Sequence, residues 1–298
     1  NTTASNNTAV GNEALTANTT GTNNVALGYQ ALALNTTADN NTALGRVCLY
    51  DNTTGEKNTA VGSAVLANNT TADDNTGLGF EALTQNTTGT RNTAVGAYAL
   101  DANTIANDNI AIGYAALGAN TTGGGNVAVG SYALDANTTA NYNTSYGYHS
   151  MSANTTGSGN VAVGYNALDA NTTANNNTAL GSNALTTNST GTENTAVGGH
   201  ALSSSTTGDN NTSVGYSALY TNSTGANNVA VGRAALYTNN GSANVAIGQK
   251  ALYTNSTGAN NTAVGHQSLQ ANTTGGLNAA FGREALLKNT TGSQNTAL

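Results

Sequence analysis

The chain has no proline and no tryptophan, and only one cysteine, one methionine and two phenylalanines in 298 residues. Charged residues make up 7% of it, against about 25% in ordinary soluble domains. Each shortage excludes something. Cys48 stands alone, so there is neither a disulfide framework nor a thiolate metal site. Seven Lys and Arg spread over this length cannot line a nucleic-acid groove, and a net charge of −7 is too dilute to imply a charged polymer as partner. No apolar run approaches the roughly 20 residues of a membrane-spanning helix. Lack of Pro and scarcity of charge also argue against disorder, which favours both.

What is present is order by position. The hydrophobic residues, 38% of the chain, recur at fixed places around a glycine. Gly11, Gly28, Gly45, Gly62 and their successors to Gly282 are 17 residues apart, with one step of 16 between Gly232 and Gly248. Seventeen such repeats fill the sequence with no linker. The consensus is N-[TV]-A-[VLI]-G-x-x-A-L-x-x-N-T-T-[GA]-x-x. All Lys, Arg, Asp and Glu fall in its six variable columns. Charges are almost never buried unpaired, so these columns face solvent and the fixed columns form the core. The residue after N-T-T alternates Gly and Ala through the first eleven repeats, which suggests duplication in 34-residue pairs.

A repeat of 17 residues is too short for paired helices. The N-T-A-V-G block alternates and is rich in small and β-branched residues, which favours a strand. Glycine then supplies a corner, and N-T-T-G is turn chemistry. The x-x-A-L-x-x-N stretch fits either a second short strand or one helical turn. The expected fold is therefore all-β: a parallel β-solenoid of about 17 coils, 17 residues each, forming one continuous array over 1–298. Its ends fall within the repeat, as in a segment of a longer chain. At a strand spacing of ~4.8 Å the coils would make a rod on the order of 80 Å long. Stacking would turn the Val column, such as Val10, and the Leu column, such as Leu15, into apolar spines.

Two asparagine columns carry the candidate sites. The first, here the strand Asn, precedes each glycine by four residues: Asn7, Asn24, Asn41, Asn58, Asn75, Asn92, Asn109, Asn126, Asn143, Asn160, Asn177, Asn194, Asn211, Asn228, Asn244, Asn261, Asn278 and finally Asn295. It is expected to form a buried amide ladder, a known device in stacked sheets. The second, the turn Asn, opens N-T-T or N-S-T: Asn1, Asn18, Asn35, Asn52, Asn69, Asn86, Asn120, Asn137, Asn154, Asn171, Asn188, Asn222, Asn255, Asn272 and Asn289. These are acceptor sequons on a turn and the candidate glycosylation sites, covalent glycans being the only non-protein group foreseen. The sequon is lost at Asn103, Ser205 and Asn239, and further sequons begin at Asn6, Asn40, Asn143, Asn176, Asn210 and Asn260.

Other chemistry finds little footing. His149, His200 and His266 lie coils apart, and Asp has no period, so metal binding is not expected. No Ser, His and Asp recur at a fixed spacing, and no phosphate-loop Lys follows Gly123-Gly124-Gly125. The chain is not expected to be an enzyme. Tyr220, Tyr237 and Tyr253 share one column in consecutive coils. That column fits an internal stack that stabilises the array, with carbohydrate or surface adhesion as the alternative.

The block N-x-A-[VI]-G followed by G-x-x-A, as at Asn126-Val127-Ala128-Val129-Gly130, resembles the head repeats of trimeric autotransporter adhesins and the repeat stalks of phage tail-fibre-like proteins. The resemblance implies a left-handed parallel β-roll, trimeric association and binding to host or matrix surfaces. The N-T-T-[GA] segment is extra relative to those shorter repeats. The expected function is a structural segment of an extracellular fibre, at the cell or virion surface, glycosylated on the turn asparagines. Its expected partners are copies of itself, as filament or homo-oligomer. The alternatives are an adhesin or tail-fibre stalk that presents a binding tip, and an ice-binding solenoid.

Overall fold

A computed structural model describes residues 3–298; the sequon at Asn1 lies outside the described residues. The chain is an all-β parallel solenoid with no helix among those residues. It falls into two compact units, residues 3–148 and His149–Leu298.

Each coil contributes one short strand. The first unit holds β1 (Thr8–Val10), β2 (Val25–Leu27), β3 (Thr42–Leu44), β4 (Thr59–Ser63), β5 (Thr76–Phe80), β6 (Thr93–Val95), β7 (Ile110–Ile112), β8 (Val127–Val129) and β9 (Thr144–Tyr146). The second holds β10 (Val161–Val163), β11 (Thr178–Leu180), β12 (Thr195–Val197), β13 (Thr212–Val214), β14 (Val229–Val231), β15 (Val245–Ile247), β16 (Thr262–Val264), β17 (Ala279–Phe281) and β18 (Thr296–Ala297). Within each unit every strand pairs in parallel with the next, and equivalent repeat positions face each other: Ala9 opposes Ala26, and Ala162 opposes Ala179. The short coil keeps this register, with Val229 opposite Val245.

Alternation along the strand decides the core. From β2 to β17 the second residue of each strand, Ala in most, points inward and is buried, as Ala26, Ala43 and Ala246 are. The residues on either side point out. Val10 is 57% exposed and Leu27 46%. The expected Val spine is therefore absent: with the strand Asn and the Ala turned inward, period two puts the Val column on the outer face. The Leu column does form an inner spine; Leu32 to Leu134 in the first unit and Leu168 to Leu252 in the second are fully buried.

The x-x-A-L-x-x-N stretch is neither strand nor helical turn. The second and fourth residues after each glycine both have left-handed backbones, for example Glu13 at φ 58° and Leu15 at φ 53°. Isolated left-handed residues cannot propagate a helix. A third left-handed position precedes the strand Asn; Asn, Asp or Gly, which tolerate that region, hold it most often, as at Asn6, Asp74 and Gly125, but Lys57, Arg91, Tyr142, Glu193, Ala243, Leu277 and Gln294 adopt it as well. For Leu, the conformational cost is offset by burial, about 1.5–3 kcal/mol per side chain. The corner glycine lies at φ near +135° (Gly96), and a Cβ on Gly28 would sit 2.6 Å from the carbonyl carbon of Gly45. Only glycine meets both demands.

Candidate functional site: the inter-coil ladders

The inner surface of every coil but the one with Ser205 carries two asparagines, and both reach the neighbouring coil. The turn Asn forms an amide-to-amide ladder. Asn35 Nδ2 donates to Asn18 Oδ1 at 2.9 Å, Asn52 to Asn35 at 3.0 Å, and Asn69 to Asn52 at 2.8 Å. The same Nδ2 also donates to the carbonyl three residues on, as Asn18 does to Gly21 at 3.0 Å. The second unit repeats the pattern, with Asn171 on Asn154 at 2.8 Å and Asn272 on Asn255 at 2.8 Å.

The strand Asn braces backbone instead. Asn7 Oδ1 accepts the backbone N–H of Asn24 at 2.8 Å, and Asn24 Oδ1 accepts that of Asn41 at 2.9 Å. Its Nδ2 donates to the same small-residue carbonyl that the turn Asn uses: Asn24 to Ala38 at 2.8 Å, Asn35 to Ala38 at 3.2 Å. In some coils a direct amide contact is added, as Asn228 on Asn211 at 3.0 Å. A third ladder runs through the first Thr of N-T-T. Thr19 Oγ1 donates to the Thr36 carbonyl at 2.9 Å and Thr53 Oγ1 to the Thr70 carbonyl at 3.0 Å. Ser replaces Thr at Ser189, Ser223 and Ser256 and keeps the hydroxyl.

These contacts correct the glycan assignment. Asn18 is 2% exposed, and Asn35, Asn52, Asn69, Asn86, Asn120, Asn137, Asn154, Asn171, Asn188, Asn222, Asn255 and Asn272 are fully buried. An N-linked sugar replaces one Nδ2 hydrogen and needs a path outward; here both hydrogens are donated inward. Asn289, less buried, makes the same two bonds, to Asn272 and Gly292. The sequons with exposed asparagines are those at Asn6, Asn40, Asn176, Asn210 and Asn260, one residue before the strand Asn. N-T-T matches a sequon because an amide ladder and a hydroxyl ladder lie side by side.

One rung is missing. Ser205 stands where the other coils have Asn, and both Ser205 Oγ and Asn188 Oδ1 are buried without a hydrogen-bond partner. The short coil loses its residue from N-T-T itself: Asn240 stands in the hydroxyl column, where Ser223 Oγ donates to its Oδ1 at 2.7 Å, while the amide ladder runs on, with Asn239 donating to Asn222 at 3.0 Å and Asn255 to Asn239 at 2.7 Å.

The remaining candidate chemistry is dispersed. Cys48 is buried, its Sγ 3.1 Å from the Gly62 carbonyl, and burial pushes its thiol pKa up, against nucleophilic use. Among the described residues no group of three His, Cys, Asp or Glu could hold a metal, and no helix is long and apolar enough to cross a membrane. Tyr220, Tyr237 and Tyr253 stack with centroids 5.1 Å apart. A second aromatic series, Phe80–Tyr98–Tyr114–Tyr132–Tyr148, packs edge to face in the first unit. Its members alternate between the two columns after the glycine, so no single column betrays it. Scanning both columns together would have found it.

The fold and these ladders define the chain as a tandem-repeat β-solenoid whose inner polar groups bond coil to coil. No protein-family model and no curated protein matches the sequence.

Proposed function

We propose that this chain is a structural segment of an extracellular fibre, at a cell or virion surface, whose work is to stack. The observation that supports this reading most is the turn-Asn ladder: its buried amides are consumed by the coils before and after, so each coil is completed by a copy of itself. Stacked repeats stabilise one another through such nearest-neighbour interfaces. The same logic extends to copies of the chain as its partners. Immunogold labelling of the source organism with antibody to the folded array tests the reading. Label along surface filaments is expected; label confined to the cell interior would overturn it.

Sugar, where attached, belongs on the exposed sequons. Peptide mapping by mass is expected to place any glycan at Asn6, Asn40, Asn176, Asn210 or Asn260 and none on the turn asparagines. A sugar found on Asn52 or Asn86 would contradict the ladder.

A further inference from the structure

Charge is unevenly distributed along the sequence. Residues 210–298 hold four of the seven cations, Arg233, Lys250, Arg283 and Lys288, but only one of the fourteen acids, Glu284. Arg283 pairs with that Glu284 at 3.1 Å. Arg233 and Lys250 have no carboxylate partner among the described residues. They share a cleft of about 310 Å³ with Tyr216, Ser217, Tyr237 and Tyr253. It is an open cleft, at the lower end of the volume range of small-molecule sites.

The aromatic geometry narrows the ligand. Tyr237 lies between Tyr220 and Tyr253, stacked at 5.1 Å on each side with interplanar angles of 8° and 15°. Its faces are covered, so it offers a ligand its rim and hydroxyl. Burial, and then the neighbouring phenols, push the Tyr237 pKa up from its ordinary value, so its hydroxyl keeps its proton and can donate. Lys250 Nζ lies 5.6 Å from the Tyr253 centroid, held over the ring by cation–π attraction. Tyr216 is 56% exposed at the mouth. Phenol hydroxyls matched to sugar hydroxyls, beside a guanidinium fork and an ammonium matched to an oxyanion, describe one ligand chemistry.

We propose that this cleft binds the acidic sugar units of an anionic polysaccharide, with Arg233 and Lys250 holding the carboxylate or sulfate and Tyr237 and Tyr253 the ring hydroxyls. Every group named lies in a solvent-facing variable column, so substitution there leaves the ladders intact. Affinity electrophoresis of the full chain through gels containing polygalacturonate, dextran sulfate or plain dextran tests it. Retardation by at least one acidic polymer and not by plain dextran is expected. The Arg233→Gln/Lys250→Gln variant should weaken it by at least about tenfold, the loss expected from even one hydrogen bond to a charged group. Arg283→Gln/Lys288→Gln, outside the cleft, should change it little, and Tyr253→Phe should weaken it without altering the net charge. Circular dichroism confirms that each variant is folded. The polymer that retards identifies the oxyanion. Absence of retardation by both acidic polymers overturns the proposal. So does an equal loss in the two charge variants, which would mean unspecific attraction, or retardation by single-stranded DNA alone.

Discussion

Val65 occupies a core position where most coils have Ala, and the space it needs is supplied one strand later. Gly77, in β5, replaces the inward Ala, and a Cβ there would overlap Val65 Cγ1. The core between strand and Leu turn is thus one methyl deep, and these two residues trade volume. Gly77→Ala alone should destabilise by overpacking, about 1–3 kcal/mol. Val65→Ala alone should leave a cavity of similar cost. The double variant restores the consensus pair, and its cost should fall well below the sum. Chemical denaturation of the three variants measures the coupling, and additivity would refute the trade. A second contrast separates strain from collision. Gly28→Ala meets both a positive φ and the backbone of the next coil, whereas at Gly282, with φ 116°, the nearest atom to an added Cβ is 3.9 Å away. Gly282→Ala should cost about 1–3 kcal/mol of conformational strain, and Gly28→Ala clearly more. Equal losses would show that packing between corners is unimportant.

At the scale of the coil, Ser205 provides the natural deletion of a rung. Restoring it, Ser205→Asn, should pair the orphaned Asn188 Oδ1 and stabilise the second unit by about 1–3 kcal/mol, the penalty of an unsatisfied buried group. No gain in denaturation midpoint would mean that the ladder contributes nothing net. The coil also marks what the sequence could reveal. The period, the parallel strand, the corner glycine and the solvent-facing columns were legible, because charge and Gly report directly on exposure and φ. The direction of the Val column was not. Ala, Val and Thr all suit either face, and only the narrow interior, filled by Ala and the amides, decides the matter. The turn Asn was misread for a related reason. N-T-T is the same string whether its amide faces solvent or the next coil. The missed signal was invariance: Asn holds this column in sixteen of seventeen repeats, a constancy that an exposed acceptor site does not require. The left-handed turn was hidden too, since Leu ordinarily favours a right-handed helix.

For the molecule as a whole, the chemistry of the core sets the response to pH. The buried polar side chains are Asn and Ser, which do not titrate. What titrates with a shift is peripheral or opposed in sign. Burial raises the Asp101 pKa, so its contribution is fully present below the unfolded carboxylate value and is lost as pH rises through the folded one. Hydrogen bonding to Arg91 lowers the Asp108 pKa, so its contribution is present above the unfolded value and is lost as pH falls through the folded one. That pair is exposed and screened by solvent, and adds little. The apparent thermal midpoint should therefore move by no more than about 2–4 °C between about pH 5 and pH 8, the equivalent of about 1 kcal/mol for a chain of this size. On the alkaline side Cys48 has a raised pKa, so its contribution is present below the unfolded thiol value of about 8.5 and is lost as pH rises through the folded one. Cys48→Ala should flatten part of that alkaline decline while leaving the acidic limb unchanged. Calorimetric scans across the pH range decide the matter. A steep acid transition near about pH 4, within the ordinary carboxylate range, would place ionised carboxylates rather than amides at the centre of the stability of this array.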